Sequence, residues 1–331
     1  MELKGKALFN LLRLNWLDDP NSDVQPWQIE DLRELSIEKL FSRLQDLGLV
    51  LNEESFYLYA ENCDSPEELI DCVWIEEEQL ERHDQAYLLL FELWRRLLPG
   101  KLCLSVFCDE LDQLIDLYDT GALENEEPLQ NALTILEDIL DDACDEDGDL
   151  QTVFKMIASF CAHDLERFLF DFISDQITER NETYASELID DFYEYISFRL
   201  AFDLLRAWLF GFSNLEESNI LYGRLLEELS ESPNLDLILQ VCDSLIHHGD
   251  VRLFMQAVRQ ALGLLKTEEN IQMLLEMVAE YFRCLDRDKE YKTIRGMLEM
   301  RQTTALDKAI DPSDHAIKHL SEIIVIGPLP G

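Results

Sequence analysis

Residues 154–177 read FKMIASFCAHDLERFLFDFISDQI, and residues 184–212 read YASELIDDFYEYISFRLAFDLLRAWLFGF. No other stretch of the chain is so dense in large apolar residues, and its period decides the fold class. In the first segment Phe154, Ile157, Ala158, Cys161, Leu165, Phe168, Leu169, Phe172 and Ile173 recur at three- and four-residue steps, the repeat of one helix face. Phe160, Phe170 and Ile177 widen the stripe, so this helix meets neighbours on more than one side. The second segment repeats the pattern with Leu188, Ile189, Phe192, Tyr195, Ile196, Leu200, Phe202, Leu204, Leu205, Trp208 and Leu209. The pattern predicts two long helices joined near Thr178 to Thr183 and closed into a hairpin that flanking helices cover. Arg199, Asp203 and Arg206 interrupt the apolar run, so neither helix is a membrane span, which needs roughly 20 predominantly apolar residues. Burying one Leu or Phe is worth about 1.5–3 kcal/mol. Phe168→Asp and Leu204→Asp are therefore expected among the most damaging substitutions.

Around this centre the chain is long and acidic. At 331 residues it exceeds the usual range of one core, which favours two domains or one elongated helical array. An apolar content of 47% excludes wholesale disorder. Sparse glycine and proline suit long helices with short connections. The eight cysteines form no CxxC, and Cys103 and Cys108 are too widely spaced for a zinc knuckle. Buried free thiols in a reducing, cytoplasmic compartment are the expected state. The net charge of −42 excludes direct binding to a nucleic-acid backbone, where affinity comes from Lys and Arg. It also argues against anionic membrane surfaces and attracts basic partners.

Toward the N-terminus, residues Leu3 to Leu17 form an amphipathic helix with Lys4, Lys6 and Arg13, not a signal peptide: Asn10, Arg13 and Asn15 break its apolar run. Pro26 opens a helix carrying Ile29, Leu32, Leu35, Ile37, Leu40, Phe41, Leu44 and Leu47, with Gly48 as its stop. Phe56 to Tyr59 lie in a shorter element. Ser65-Pro66-Glu67-Glu68 reads as a capping box with proline in the first turn. A helix through Leu88, Phe91, Trp94 and Leu97 ends at Pro99-Gly100; another runs from Leu104 to Tyr118, and a third opens at Pro128. Asp141 to Asp149 reads as an acidic linker.

Beyond Phe212 the spacing becomes regular. Ser213, Asn234, Asp250 and Thr267 are candidate N-caps. From Asn234 the starts fall about 17 residues apart, so two helices make a unit of about 34, the length of a tetratricopeptide-type hairpin. The residue signature of that repeat is not met, so only the period and the architecture are similar. The last helix ends near Arg301, Thr303 to Asp314 reads as a linker, and the β-branched tail from Ile323 is expected to be a strand rather than a helix.

Chemistry is thinly represented. Asp145, Asp147, Gly148 and Asp149 resemble a calcium loop, but aligning Gly148 with the glycine of an EF-hand puts Ala143 and Phe154 at ligand positions. Asp141-Asp142-Ala143-Cys144-Asp145 and Asp190-Asp191-Phe192-Tyr193-Glu194 match DDxxD and DDxxE. On a helix that spacing sets carboxylates one turn apart, and the motif is similar to that of all-helical isoprenoid synthases, which hold Mg²⁺ against a diphosphate. The chain lacks their second metal motif: Asn214-Leu215-Glu216-Glu217-Ser218 has Leu215 and Tyr222 where acids are required. His163-Asp164 and His83-Asp84 are weak counterparts of metal phosphohydrolase ligands, and His247-His248 suits a helix C-terminus. No phosphate-binding glycine loop, nucleotide fingerprint or GxSxG elbow is present.

The expected fold is all-α: an antiparallel helical array, either TPR-like (an α-solenoid) or an irregular multi-helix bundle. The expected regions are an N-terminal helical part (1–149), the central hairpin with TPR-like repeats (150–301), and a linker with an apolar tail (302–331). The expected function is a non-enzymatic acidic protein–protein interaction module, a scaffold, adaptor or chaperone whose partner is another protein, basic partners being the ones its charge attracts, with no catalytic residues and no cofactor. The binding surface would be a groove of the C-terminal helices or an acidic face. One alternative is an acidic nucleic-acid mimic that blocks a basic DNA- or RNA-binding protein. The other is a Mg²⁺-dependent isoprenoid-synthase-like enzyme using Asp190, Asp191 and Glu194.

Overall fold

The computed structural model describes residues 2–74, 80–143, 149–248, 250–311 and 314–326. Among these residues are eighteen α-helices, one 3-10 turn, and no β-structure beyond an isolated bridge between Thr267 and Ala309. The fold is an all-α helical array. Its helices belong to two compact units: Met1–Leu169 with Glu194–Ile196, and Phe170–Tyr193 with Ser197–Gly331.

The first unit contains α1 (Ala7–Asp18), α2 (Pro26–Ile29), the 3-10 turn Leu32–Glu34, α3 (Ile37–Asp46), α4 (Glu53–Ala60), α5 (Pro66–Val73), α6 (Leu80–Leu97), α7 (Leu104–Asp119), α8 (Glu127–Ala143), α9 (Leu150–Ala158) and the first turn of α10 (Leu165–Thr178). Its axis is α6. Every residue from Ala86 to Trp94 is buried, so this helix is surrounded on all sides. It packs against α3, α5 and the 3-10 turn. The single helix expected from Pro26 to Leu47 is instead three pieces. Asp31 accepts from the Arg33 N–H at 3.0 Å and Ser36 accepts from the Lys39 N–H at 3.3 Å. These short side chains offer the backbone local partners and so restart the helix twice. Gly48, at φ +98°, closes α3 as expected. Ser65 caps α5 by accepting from the Glu68 N–H, while the Glu68 carboxylate turns back to the Asp64 N–H, one residue short of a full capping box.

The two long helices expected at residues 154–212 are four: α9, α10, α11 (Glu182–Phe192) and α12 (Arg199–Ser213). The joint near Thr178 to Thr183 is where the sequence puts it. The first extra break follows Ala158, where Asp112 draws the Ala162 and His163 N–H groups out of the helical pattern at 2.8 and 3.1 Å. Asp164 then caps α10 by accepting from the Arg167 N–H. At the second break Tyr195 and Ile196 turn inward and are buried, and the Tyr195 hydroxyl donates to Asp141.

The second unit holds the rest of α10, then α11, α12, α13 (Leu215–Glu231), α14 (Leu235–His248), α15 (Val251–Leu262), α16 (Glu268–Cys284), α17 (Asp288–Glu299) and α18 (His315–Ile326). A single residue, Asn214, ends α12 and caps α13, accepting from the Glu217 N–H at 3.2 Å; Ser213, the expected cap, is the last residue of α12. Asn234, Asp250 and Thr267 cap α14, α15 and α16 as expected. Such short connections make α12/α13, α14/α15 and α16/α17 antiparallel pairs. Next-but-one helices also pack: α12 on α14, α14 on α16, and α13 on α15. The Asp250 N–H donates to Asn219 and Gln260 donates to the Leu226 carbonyl. Contacts that pair early with early and late with late make α13 and α15 run the same way.

The C-terminal tail departs from expectation. Ile323 to Ile326 end a helix, not a strand, because Ala316, Leu320 and Ile324 fall on one face and are buried. Packing against α15 and α17 overrides a weak β-propensity. Gly327 to Gly331 lie outside the described residues. The described part of Thr303 to Asp314 is no free linker either. The Lys308 and Leu306 carbonyls accept from the Glu268 and Glu269 N–H groups at 2.8 and 3.0 Å, satisfying first-turn amides that α16 itself leaves open.

Candidate functional site

In the first unit α1, the 3-10 turn, α6 and α7 converge on three buried carboxylates. Asp109 accepts from Lys6 at 2.7 Å, Arg33 at 2.6 Å and Asn10 at 3.1 Å. Asp112 accepts from the Ala162 and His163 amides, from Asn10, and lies 2.9 Å from His163 Nδ1. Glu92 binds both Arg95 and Arg96, and Arg96 donates onward to the carbonyls of Leu32, Arg33 and Leu35. Burial pushes the Asp109 carboxyl up, but the charges of Lys6 and Arg33 outweigh it and hold the group below the usual carboxylate range. For His163, burial disfavours the charged ring, and the hydrogen bond and charge of Asp112 more than offset this, so its pKa is raised. The cleft over this cluster has room for only about 60 Å³, against about 300 Å³ or more for a small-molecule site. Its polar groups are bonded to one another, so the cluster fixes how these helices meet.

The second unit offers a surface of another kind. A groove of about 280 Å³ between α14 and α16 is lined by Asp243, Ile246, Met273, Glu276, Met277 and Glu280. On α16 the lining residues recur at three- and four-residue steps, which aligns them along one face. Three carboxylates thus border three apolar side chains, one of which, Met273, is 41% exposed. Burial pushes the Asp243 carboxyl up against the opposing field of His247. Glu280 is held low by its hydrogen bond and ion pair with Arg283. Methionine is a flexible apolar surface, and the flanking carboxylates border it with negative charge.

The residues singled out by sequence are dispersed. Asp190 is in the last turn of α11, 68% exposed, and paired with Arg206 at 2.8 Å. Asp191 is half-buried; Glu194 is exposed and lies in a turn beyond Phe192, where α11 ends. The helical geometry that motivated a metal motif therefore does not extend to Glu194. Asp141 and Asp142 sit at the end of α8, while Cys144, Asp145, Asp147 and Gly148 lie outside the described residues. Asp149 precedes α9 and accepts from the Thr152 hydroxyl. His163 pairs with Asp112 rather than with its neighbour Asp164, and His83 lies 3.4 Å from Asp84. Among the described residues no three His, Cys, Asp or Glu side chains form a group that could hold a metal ion. Among them, too, no helix is long and apolar enough to cross a membrane.

Sequence reading missed both the buried cluster and the groove. Asp112, in step with the apolar Cys108, Leu111 and Ile115 of α7, was a usable signal of buried charge. Asp243, Glu276 and Glu280 were not separable from the 69 acidic residues of the chain. Comparison with protein-family models, curated proteins and solved structures gives no match.

Proposed function

We propose that this chain is a non-enzymatic acidic helical interaction module, a scaffold, adaptor or chaperone, whose α14–α16 groove takes a basic segment with apolar side chains from a partner protein. The observation that carries this reading is the groove itself, with Asp243, Glu276 and Glu280 around Ile246, Met273 and Met277. A lysine- or arginine-bearing segment would place its charge on the acids and its aliphatic carbons on the methionines.

Two further features support it. The chain's net charge is −42, and many of its cations are held in ion pairs of its own, among them Lys6, Arg33, Arg43, Arg95, Arg96 and Arg301. The outward field that a partner meets is therefore acidic. In α12 to α16, adjacent helices are antiparallel and next-but-one helices pack together, the order of a TPR-like solenoid, an architecture that offers long grooves. The seven described cysteines are free, which suits a reducing cytoplasmic compartment.

The test is to isolate the tagged full chain from its native cells at low and moderate salt, beside an Asp243→Lys/Glu276→Lys variant of unchanged helicity. A stoichiometric basic protein that survives moderate salt with the wild type and is lost with the variant supports the reading. A partner bound equally by both forms, or none at either salt, contradicts it.

A further inference from the structure

Two pairs of thiols stand close together in the first unit, and they differ in one respect. Cys108 and Cys161 are neighbours buried at 0% and 1% exposure, and the Cys108 thiol donates to the Ile157 carbonyl at 3.9 Å. Cys63 and Cys72 lie with their sulfurs 3.7 Å apart; Cys63 is fully buried and Cys72 is exposed. Only the second pair combines a thiol that a solute can reach with a second thiol directly behind it. Cys63 lies on the short connection between α4 and α5, and Cys72 lies in the last turn of α5. A bond between them closes a short ring, and rotation of the two side chains has to shorten the sulfur separation to about 2.05 Å.

We propose that Cys63 and Cys72 form a site of reversible oxidation, in which a hydroperoxide converts them to a disulfide with Cys72 reacting first. The Cys72 thiolate attacks one peroxide oxygen, the O–O bond breaks, and hydroxide (or alkoxide) leaves and is protonated. Cys72 is then a sulfenic acid. The Cys63 thiol gives up its proton as its sulfur attacks that sulfur, the S–O bond breaks, and the departing hydroxide takes up the proton to become water. Two thiols and one hydrogen peroxide give one disulfide and two waters, the two sulfurs supplying the two electrons that cleave the O–O bond.

The surroundings set the order and the oxidant. Cys63 donates to the Tyr59 carbonyl at 3.4 Å, and burial with Cys72 alongside pushes its thiol up to about 11, so the entry step belongs to Cys72. Glu68 adds a negative field at Cys63, and the whole chain is strongly acidic. An uncharged peroxide approaches such a surface freely, whereas anionic glutathione disulfide is repelled.

The experiment treats the reduced full chain, freed of reductant, with a small molar excess of hydrogen peroxide, alkylates the remaining thiols, and maps peptides by mass. The wild type is expected to lose two hydrogens, to yield a crosslinked Cys63–Cys72 peptide, and to recover all eight thiols on reduction with a phosphine. The Cys63→Ser variant is expected to stop at a sulfenic acid on Cys72 that dimedone traps. In Cys72→Ser, a change at an exposed position, Cys63 is expected to stay alkylatable after unfolding. Three results overturn the proposal: a wild type whose Cys72 proceeds to sulfinic acid while Cys63 remains a thiol, a disulfide between Cys108 and Cys161 formed first, or peroxide that leaves both Cys63 and Cys72 unreacted.

Discussion

The helices around α6 and α7 and the helices from α12 to α15 are built from the same acidic chain and are held in different ways. The first group buries Glu92, Asp109 and Asp112, each bound by cations or by several N–H donors. From α12 to α15 no charged residue is buried among those described. The buried polar side chains there are Ser218 and Ser244, whose hydroxyls donate to backbone carbonyls at 2.7 and 3.0 Å. Close by, Phe254 stacks on Tyr281 of α16 with ring centroids 3.7 Å apart and planes 11° from parallel. The two regions accommodate the chain's excess of acid differently. Where a carboxylate enters the interior, several other side chains are fixed around it, as they also are at the start of α16, where buried Glu268 is held by Arg301. From α12 to α15 the acids stay at the surface, and the interior is closed by apolar and aromatic packing.

Removing one interior element from each region gives the largest effects expected. Phe254→Ala leaves a cavity beside Tyr281 and should destabilise by about 3–5 kcal/mol, with little dependence on pH, as measured by urea unfolding. Asp109→Ala leaves Lys6 and Arg33 without their shared carboxylate, and should cost about 3 kcal/mol, the lower end for a broken buried pair because both cations keep some exposure and Arg33 keeps Glu110.

The stability of the first group depends on pH at both ends. The Asp109 pKa is lowered in the folded chain, so its contribution is complete above the unfolded carboxylate value of about 3.9 and is lost as pH falls through the folded value. The His163 pKa is raised, so its contribution is complete below the unfolded imidazole value of about 6.5 and is lost as pH rises through the folded value. Unfolding midpoints reported by α6 and α7 should therefore fall at both extremes, and His163→Ala should flatten the alkaline limb alone.

Smaller effects follow from backbone geometry. Gly5 has φ +55°, and an added Cβ would lie 2.7 Å from a Glu67 oxygen that already accepts from the Tyr87 hydroxyl. Gly5→Ala should cost about 1–3 kcal/mol, read as a lowered melting temperature. Asn214→Ala removes the one side chain that caps α13 and should cost about 1 kcal/mol.

The helical class, the joint near Thr178 and the caps at Asn234, Asp250 and Thr267 were legible because period and capping are local properties. The breaks after Ala158 and Phe192 were not. Apolar spacing stays in step across both, and the groups associated with them, Asp112 and Asp141, are about fifty residues away in the chain. The tail was misread for a related reason: Ile323 and Ile324 have a β-propensity, but the face shared by Ala316, Leu320 and Ile324 decides. The groove needed α14 and α16 side by side before its acids could be told from the rest.

The most direct measurement is hydrogen exchange, followed by mass spectrometry, of the full-length Asp109→Asn protein against the wild type near neutral pH. Asparagine keeps the shape of aspartate, removes its charge and replaces one of the two oxygens that accept from Lys6, Asn10 and Arg33 with a donor. Amides of α1, α6 and α7 should lose protection by roughly a hundredfold, in keeping with the loss of a buried ionic partner, while those of α13, α14 and α15 keep theirs. Equal loss in both groups, or protection unchanged in α6 and α7, would contradict this expectation.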